Sequence, residues 1–275
     1  MFRATVKVAP TFYSGGISSL VNDQFSRTLM QLGEQSLLRL KSSSVAVFGI
    51  GGVGGHCADS LARAGIGRLD VIDKDRICIT NINRQIIAAM STIGRYKSDV
   101  MRERILDINP EAHVGAYKLF YGPDTANSID LSGYDYIVDA MDTVTAKVEL
   151  ILRAERVGVP IISCMGAANK LDPAALIVED IYSTDMCPVA RVMRRELRRR
   201  GVKSLKVVYT KEPPIPPTQM EFSCCGHPNC PVSGQTSVQR RQTPASNSFV
   251  PPVAGLIMAG EVVRGIIGLD ASKKS

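Results

Sequence analysis

The 275-residue sequence has no apolar run long enough to cross a membrane. A span needs roughly 18 to 20 such residues. The nearest stretch, PPVAGLIMAGEVVRGIIG at residues 251–268, opens on two prolines and carries Glu261 and Arg264. It reads as a buried terminal helix. The N-terminus lacks the basic-then-apolar order of a secretion signal, so the expected location is cytoplasmic, with no membrane span. Histidine is scarce, and His56, His113 and His227 have none of the neighbours of a catalytic triad. The seven cysteines are an odd number, which argues against a disulfide framework and for reduced thiols or a metal site. There is no internal repeat. Acidic residues are in mild deficit, 26 against 33 Lys and Arg, and the net charge of +7 suits a polyanionic partner without requiring one.

What is present is an ordinary globular composition, 45% apolar, in a chain long enough for one large α/β domain. Short apolar runs at residues 44–50, 68–73, 112–120, 134–141 and 159–166 read as strands. Helical stretches at 53–67, 96–109 and 143–158 alternate with them, and 25–43 reads as helix broken at Gly33. That alternation predicts a doubly wound, mostly parallel sheet of the Rossmann-like kind. Beyond residue 166 the pattern changes. AALIVEDIY and LKVVYT suggest antiparallel additions around a very basic helix, residues 187–201. Residues 1–24 read as an irregular arm, 25–270 as a single domain, and 211–248 as a long, functional or mobile loop within it.

Gly49-Ile-Gly51-Gly52-Val-Gly54 follows the first strand and opens a helix. In that setting glycines let backbone approach a phosphate, and the helix N-terminus offers N–H groups and a positive dipole end. Asp73, 22 residues past Gly51 at the end of the next strand, is placed to hold a ribose hydroxyl. The glycine pattern by itself does not separate NAD from ATP. The stretch that follows does, because DKDRICITNINRQ and Lys97 supply Asn81, Asn83, Arg84 and a second cation. Hydride transfer has no charge to neutralise at β- and γ-phosphates, whereas breaking a triphosphate does. Asp142 ends the fourth strand at the carboxyl edge, where a carboxylate can hold Mg²⁺ against phosphates.

With these pieces in order, the sequence resembles the E1-like adenylating enzymes (the ThiF/MoeB/HesA group). The matching residues are FSR at 25–27, GIGGVGG at 49–55, DKD…TNINRQ at 73–85, Lys97 and DAMDT at 139–143. The resemblance implies an E1-type adenylation fold in which Gly51, Asp73, Asn83, Arg84, Lys97 and Asp142 bind ATP and Mg²⁺. It also implies a homodimer, with Arg27 reaching the ATP site of the other subunit. Thr143 departs from the acid–asparagine pair of the sulfur-carrier activators, so no ligand role is expected there.

The second half narrows the resemblance to the tRNA threonylcarbamoyladenosine dehydratases, through ANKLDPAALIVEDIYSTDMCPVARVMRRELRRRGVKSLKVVYTKEPP and RRQTPASNSFVPPVAGLIMAGEVV. The implied reaction adenylates the threonyl carboxylate of N6-threonylcarbamoyladenosine at position 37 of tRNA, and the modification's own urea nitrogen then closes a ring and expels AMP. The partners implied are that tRNA and a sulfur-relay companion protein. The alternatives are an activator of a ubiquitin-like or sulfur-carrier protein, and a non-catalytic nucleotide-binding partner. Cys224, Cys225, His227 and Cys230 lack the two C-x-x-C pairs of the carrier activators, so free thiols are expected there rather than zinc. At about 100° per residue, Arg191, Arg194, Arg195 and Arg198 share a face of the basic helix, and only Glu196 lies within the run to pair with them. Arg194, Arg195 and Arg198 are the expected tRNA contacts.

Overall fold

The computed structural model describes residues 23–218 and 244–269. Its centre is one seven-stranded sheet in the order β3-β2-β1-β4-β5-β7-β6. Strands β1 (Ser44–Phe48), β2 (Arg68–Ile72), β3 (His113–Tyr117), β4 (Tyr136–Asp139) and β5 (Ile161–Cys164) run parallel, as the alternation of strands and helices predicts. β1 is SVAVF, β-branched and aromatic residues with Val45 to Phe48 wholly buried, which suits a strand covered on both faces. The antiparallel part is confined to the edge. β7 (Lys206–Thr210) extends the parallel sheet on β5, and only β6 (Leu176–Asp180) runs antiparallel, paired to β7.

Among the described residues seven α-helices flank the sheet: α1 (Ser26–Leu32), α2 (Glu34–Lys41), α3 (Gly54–Ala64), α4 (Lys97–Ile108), α5 (Val144–Val157), α6 (Pro188–Arg199) and α7 (Val250–Ile266). Gly33 separates α1 from α2, as expected from the break in the pattern. One core layer joins Leu61, Val100, Met101 and Met258 of α3, α4 and α7 to Val45, Val71 and Val138 of the strands. On the other face, Leu150 and Ala154 of α5 pack with Phe48 and Ile137, while Met193 and Leu197 of α6 pack with Val207 and Tyr209. Among the described residues no helix is long and apolar enough to cross a membrane, and the apolar terminal stretch is α7, packed along α3.

The strand order reverses between β1 and β4, whose chains leave in opposite directions at their carboxyl ends. In open parallel sheets ligands bind in the crevice at that point. Residues 1–22, 219–243 and 270–275 lie outside the description, and with them fall the expected arm, the middle of the 211–248 loop, and Cys224, Cys225, His227 and Cys230.

Candidate active site

The glycine turn occupies the crevice, and each glycine has a different reason to be there. Gly49 has φ +89°, and a Cβ on it would lie 2.7 Å from the Ala140 carbonyl oxygen. A Cβ on Gly54 would lie 1.9 Å from the Gly49 carbonyl oxygen, so only glycine lets α3 start this close to β1. A Cβ on Gly52 would meet Pro251 at 3.1 Å and the Arg84 stem at 3.3 Å. At Gly51 nothing stands within 4 Å. The turn is therefore closed on its protein side and open at Gly51, a cradle that a phosphate fits.

Asp73 holds this turn. Its Oδ2 accepts the Ile50 N–H at 2.7 Å and its Oδ1 the Asp75 N–H at 2.8 Å. Burial pushes the Asp73 carboxyl up from its ordinary value, against the opposing pull of Lys97. Lys97 opens α4 and is 7% exposed, with Nζ 3.0 Å from Asp75 Oδ2 and 3.8 Å from Asp73 Oδ2. Its backbone N–H donates to the Asp75 carbonyl at 2.9 Å. The two acids and the lysine thus form one cluster beside the glycine turn, tied by side chain and backbone.

The loop from Cys78 to Tyr96 folds on itself to present Arg84. Asn81 Oδ1 accepts the Cys78 N–H at 3.0 Å, and the Asn81 carbonyl accepts the N–H groups of Arg84 and Gln85. Asn81 shapes the loop rather than standing free of it. Arg84 Nη1 donates to the Thr80 carbonyl at 3.0 Å and to Asn83 Oδ1 at 2.8 Å, while Asn83 Nδ2 donates to the Ser246 carbonyl at 3.0 Å. Partial burial lowers the Arg84 guanidinium pKa, with Cys78 opposing. A partly buried guanidinium beside the glycine turn is suited to receive an anion.

Asp142 is exposed in the loop between β4 and α5, the loop whose Ala140 abuts Gly49, and its Oδ1 accepts from Thr143 Oγ1 at 3.2 Å. Among the described residues no group of three or more His, Cys, Asp or Glu side chains could hold a metal. A single exposed carboxylate is a donor of the kind that suits Mg²⁺, which keeps several waters and takes one or two carboxylates plus phosphate oxygens. Asp139, by contrast, is buried and paired with Lys147 at 3.0 Å, a lysine that the motif does not point to. The signal was available, since Lys147 shares a helical face with the apolar Leu150, Ile151 and Ala154.

The remaining predicted residues lie elsewhere. Arg27 is exposed near the start of α1, two residues beyond Phe25, whose ring packs by Gly65 at the far end of α3. Eleven helical residues, about 16 Å at 1.5 Å per residue, separate that end from the glycine turn. The basic helix α6 runs from Cys187, whose thiol lies by Gly166 at the carboxyl end of β5, back towards the start of β7. Arg194 is only partly exposed, and its Nη1 donates to the Thr184 carbonyl at 2.7 Å and to the Thr184 hydroxyl. Arg195, Arg199 and Arg200 converge on Glu196, and Arg198 covers the Tyr182 ring at 5.2 Å. The expected shared face is therefore broken at Arg194, which turns inward.

With this geometry in hand, the sequence matches the ThiF family over residues 25–275. The chain belongs to the ThiF family. Within it, tRNA threonylcarbamoyladenosine dehydratases are among the similar proteins. A *Bacillus subtilis* tRNA threonylcarbamoyladenosine dehydratase is 42% identical over 245 residues, covering 89% of this chain and 94% of the relative. The *Escherichia coli* dehydratase is 38% identical over 182 residues, 66% of this chain and 68% of that one. The crystal structure of the *E. coli* enzyme, TcdA, in complex with ATP superposes with a TM-score of 0.76 at 29% identity, over 92% of this chain and 96% of that one. The doubly wound, mostly parallel sheet expected from the strand alternation, and the E1-type fold that the resemblance implies, are thus the fold present.

Proposed function

We propose that this protein is an ATP-dependent tRNA threonylcarbamoyladenosine dehydratase. It adenylates the threonyl carboxylate of the modified adenosine at position 37 and releases pyrophosphate. The observation that carries the reading is what surrounds the glycine turn: the Arg84 stem by Gly52, the Lys97 cluster around Asp73, and the Asp142 loop whose Ala140 abuts Gly49 and Gly54. Each residue has a distinct part. Gly51 and the start of α3 receive phosphate through backbone, and Asp73, already fixed by Ile50, presents its remaining lone pairs to a ribose. Arg84 and Lys97 stabilise the charge that develops as the α–β phosphate bond breaks, and Asn83 holds Arg84 against Ser246 and its neighbours.

Mg²⁺ at Asp142 would supply charge neutralisation at the phosphates. After adenylation the urea nitrogen attacks the activated carbonyl carbon, the C–O bond to AMP breaks, and the nitrogen's proton is lost to solvent or a nearby base. Net, water is removed at the expense of ATP. No enzyme nucleophile is needed because the attacking atom is tethered, which gives it a large entropic advantage. We further propose a homodimer in which Arg27 completes the neighbour's site, and contact of the tRNA backbone with the arginines of α6.

The test is product analysis with purified protein, ATP, Mg²⁺ and modified tRNA. AMP and pyrophosphate should form in step with the cyclised nucleoside. Asp142→Ala or Arg84→Ala should cost about 10²-fold or more in turnover, the scale of a single charge-stabilising group. ADP as product would exclude the mechanism. AMP formed on addition of a carrier protein, and not of tRNA, would favour the activator of a ubiquitin-like or sulfur-carrier protein. Turnover by the purified chain alone would show that no sulfur-relay companion is required.

A further inference from the structure

Beside the loop that carries Asp142 lies a buried charge that adenylation does not use. Lys147 is 2% exposed and Asp139 and Ser163 are 0% exposed. The Lys147 ammonium lies 3.0 Å from Asp139 Oδ2, 3.2 Å from Ser163 Oγ and 2.8 Å from the Cys164 carbonyl oxygen, so each of its three protons has an acceptor. Ser163 Oγ also donates to Asp139 Oδ2 at 2.5 Å, and Asp139 Oδ1 accepts the Met141 N–H at 3.2 Å. One cation from the first turn of α5 thereby binds together the carboxyl ends of the adjacent strands β4 and β5.

Stability alone is a weak reason for such a cluster. Desolvating both ions consumes most of their attraction, and well-packed apolar residues of the same size often serve as well. Its position gives a better reason. Asp139 and Lys147 bracket the loop that carries Asp142, and Ala140 in that loop abuts both Gly49 and Gly54. Asp142 itself is exposed, and its contact is with its own neighbour Thr143. Among the described residues no distant side chain holds this carboxylate, so it takes its aim from its backbone, and that backbone is pinned at both ends by one buried ion pair.

We propose that Lys147 is a positioning residue which, through Asp139, fixes where the Asp142 carboxylate meets the nucleotide phosphates and their divalent cation. The proposal rests on the adenylation reading given above. It is the counterpart of the outer partners of metal-binding carboxylates, whose loss commonly weakens metal binding about 10- to 100-fold.

The test reads binding rather than turnover. ATP affinity is measured by calorimetry in chelator and across a Mg²⁺ titration, for wild type, Asp142→Ala, Lys147→Arg and the double variant Lys147→Met with Asp139→Asn. The double variant removes both charges together and keeps an acceptor for the Met141 N–H, avoiding the stranded carboxylate that Lys147→Met alone would leave. It should bind ATP in chelator as wild type does, because Asp73 and Ile50 hold the glycine turn independently. The Mg²⁺ concentration giving half of the affinity gain should rise about tenfold. Lys147→Arg keeps the charge, provides the second arm, and should shift the midpoint the same way by less. Unchanged midpoints in both Lys147 variants, beside a shifted midpoint in Asp142→Ala, would reduce Lys147 to a structural role. An unchanged midpoint in Asp142→Ala would instead remove the cation from Asp142, and the positioning role with it.

Discussion

At the scale of single residues, the glycine turn separates folding from binding more cleanly than any other part of the site. Gly54 and Gly51 belong to the same motif, yet their surroundings are opposite. A methyl group at Gly54 would sit 1.9 Å from a backbone oxygen, while one at Gly51 meets nothing within 4 Å. Gly54→Ala should therefore shift α3 against β1 and cost about 1–3 kcal/mol, seen as a fall of several degrees in thermal unfolding. Gly51→Ala should leave stability within about 1 kcal/mol. Its methyl group projects into the space assigned to phosphate, so ATP affinity should fall by about tenfold or more, the equivalent of roughly 1.4 kcal/mol. Calorimetric unfolding and ATP titration of the two variants check the pair. Normal ATP affinity in a folded Gly51→Ala protein would mean that phosphate does not approach that face.

At the scale of elements, α6 shows what a helical wheel can and cannot say. The periodicity places Arg191, Arg194, Arg195 and Arg198 together, but the side chain of Arg194 is captured by Thr184, ten residues earlier and outside the helix. The exposed stripe that remains is Arg191, Arg195 and Arg198, starting near the carboxyl edge of the sheet where the site lies. Arg191→Glu with Arg195→Glu should weaken tRNA binding and flatten its dependence on salt, since fewer counterions are released. ATP affinity should stay as in wild type. Arg194→Ala should act mainly on thermal stability. Filter binding at two salt concentrations checks this, and equal tRNA affinity for the double variant at both would move the RNA site off α6. The same distinction explains how much of the molecule was legible. Strand and helix alternation, the Gly33 break and the glycine turn depend on neighbours in sequence, and their positions match the reading to within a few residues. The parallel pairing of β7 with β5, the Lys147–Asp139–Ser163 cluster and the bond from Asn83 to Ser246 join residues far apart in the chain. No local period encodes those contacts. Only the lysine on an apolar helical face hinted at one of them.

At the scale of the whole molecule, the site within one chain is short of an arginine that the family resemblance expects. Arg27 is two residues beyond Phe25, which packs by Gly65 at the opposite end of α3 from Gly54, about 16 Å of helix away. Either Arg27 is a surface residue of α1 or it serves another copy. Met30 of α1, three residues beyond Arg27, and Leu38 of the adjoining α2 show apolar side chains to solvent, at 86% and 54% exposed. A second copy would cover such a surface, and a twofold arrangement would deliver two equivalent arginines to two sites. The expected result is complementation. Arg27→Ala and Asp142→Ala homodimers should each be nearly inactive, but mixed dimers should recover part of the wild-type turnover. In one of their two sites, an intact Asp142 would face an intact Arg27 from the partner. Tandem-affinity isolation of heterodimers, each subunit carrying a different tag, makes the measurement unambiguous. Absence of recovery in verified heterodimers, with both parents dimeric by sedimentation, would place Arg27 outside the neighbour's chemistry and leave each site to the residues of its own chain.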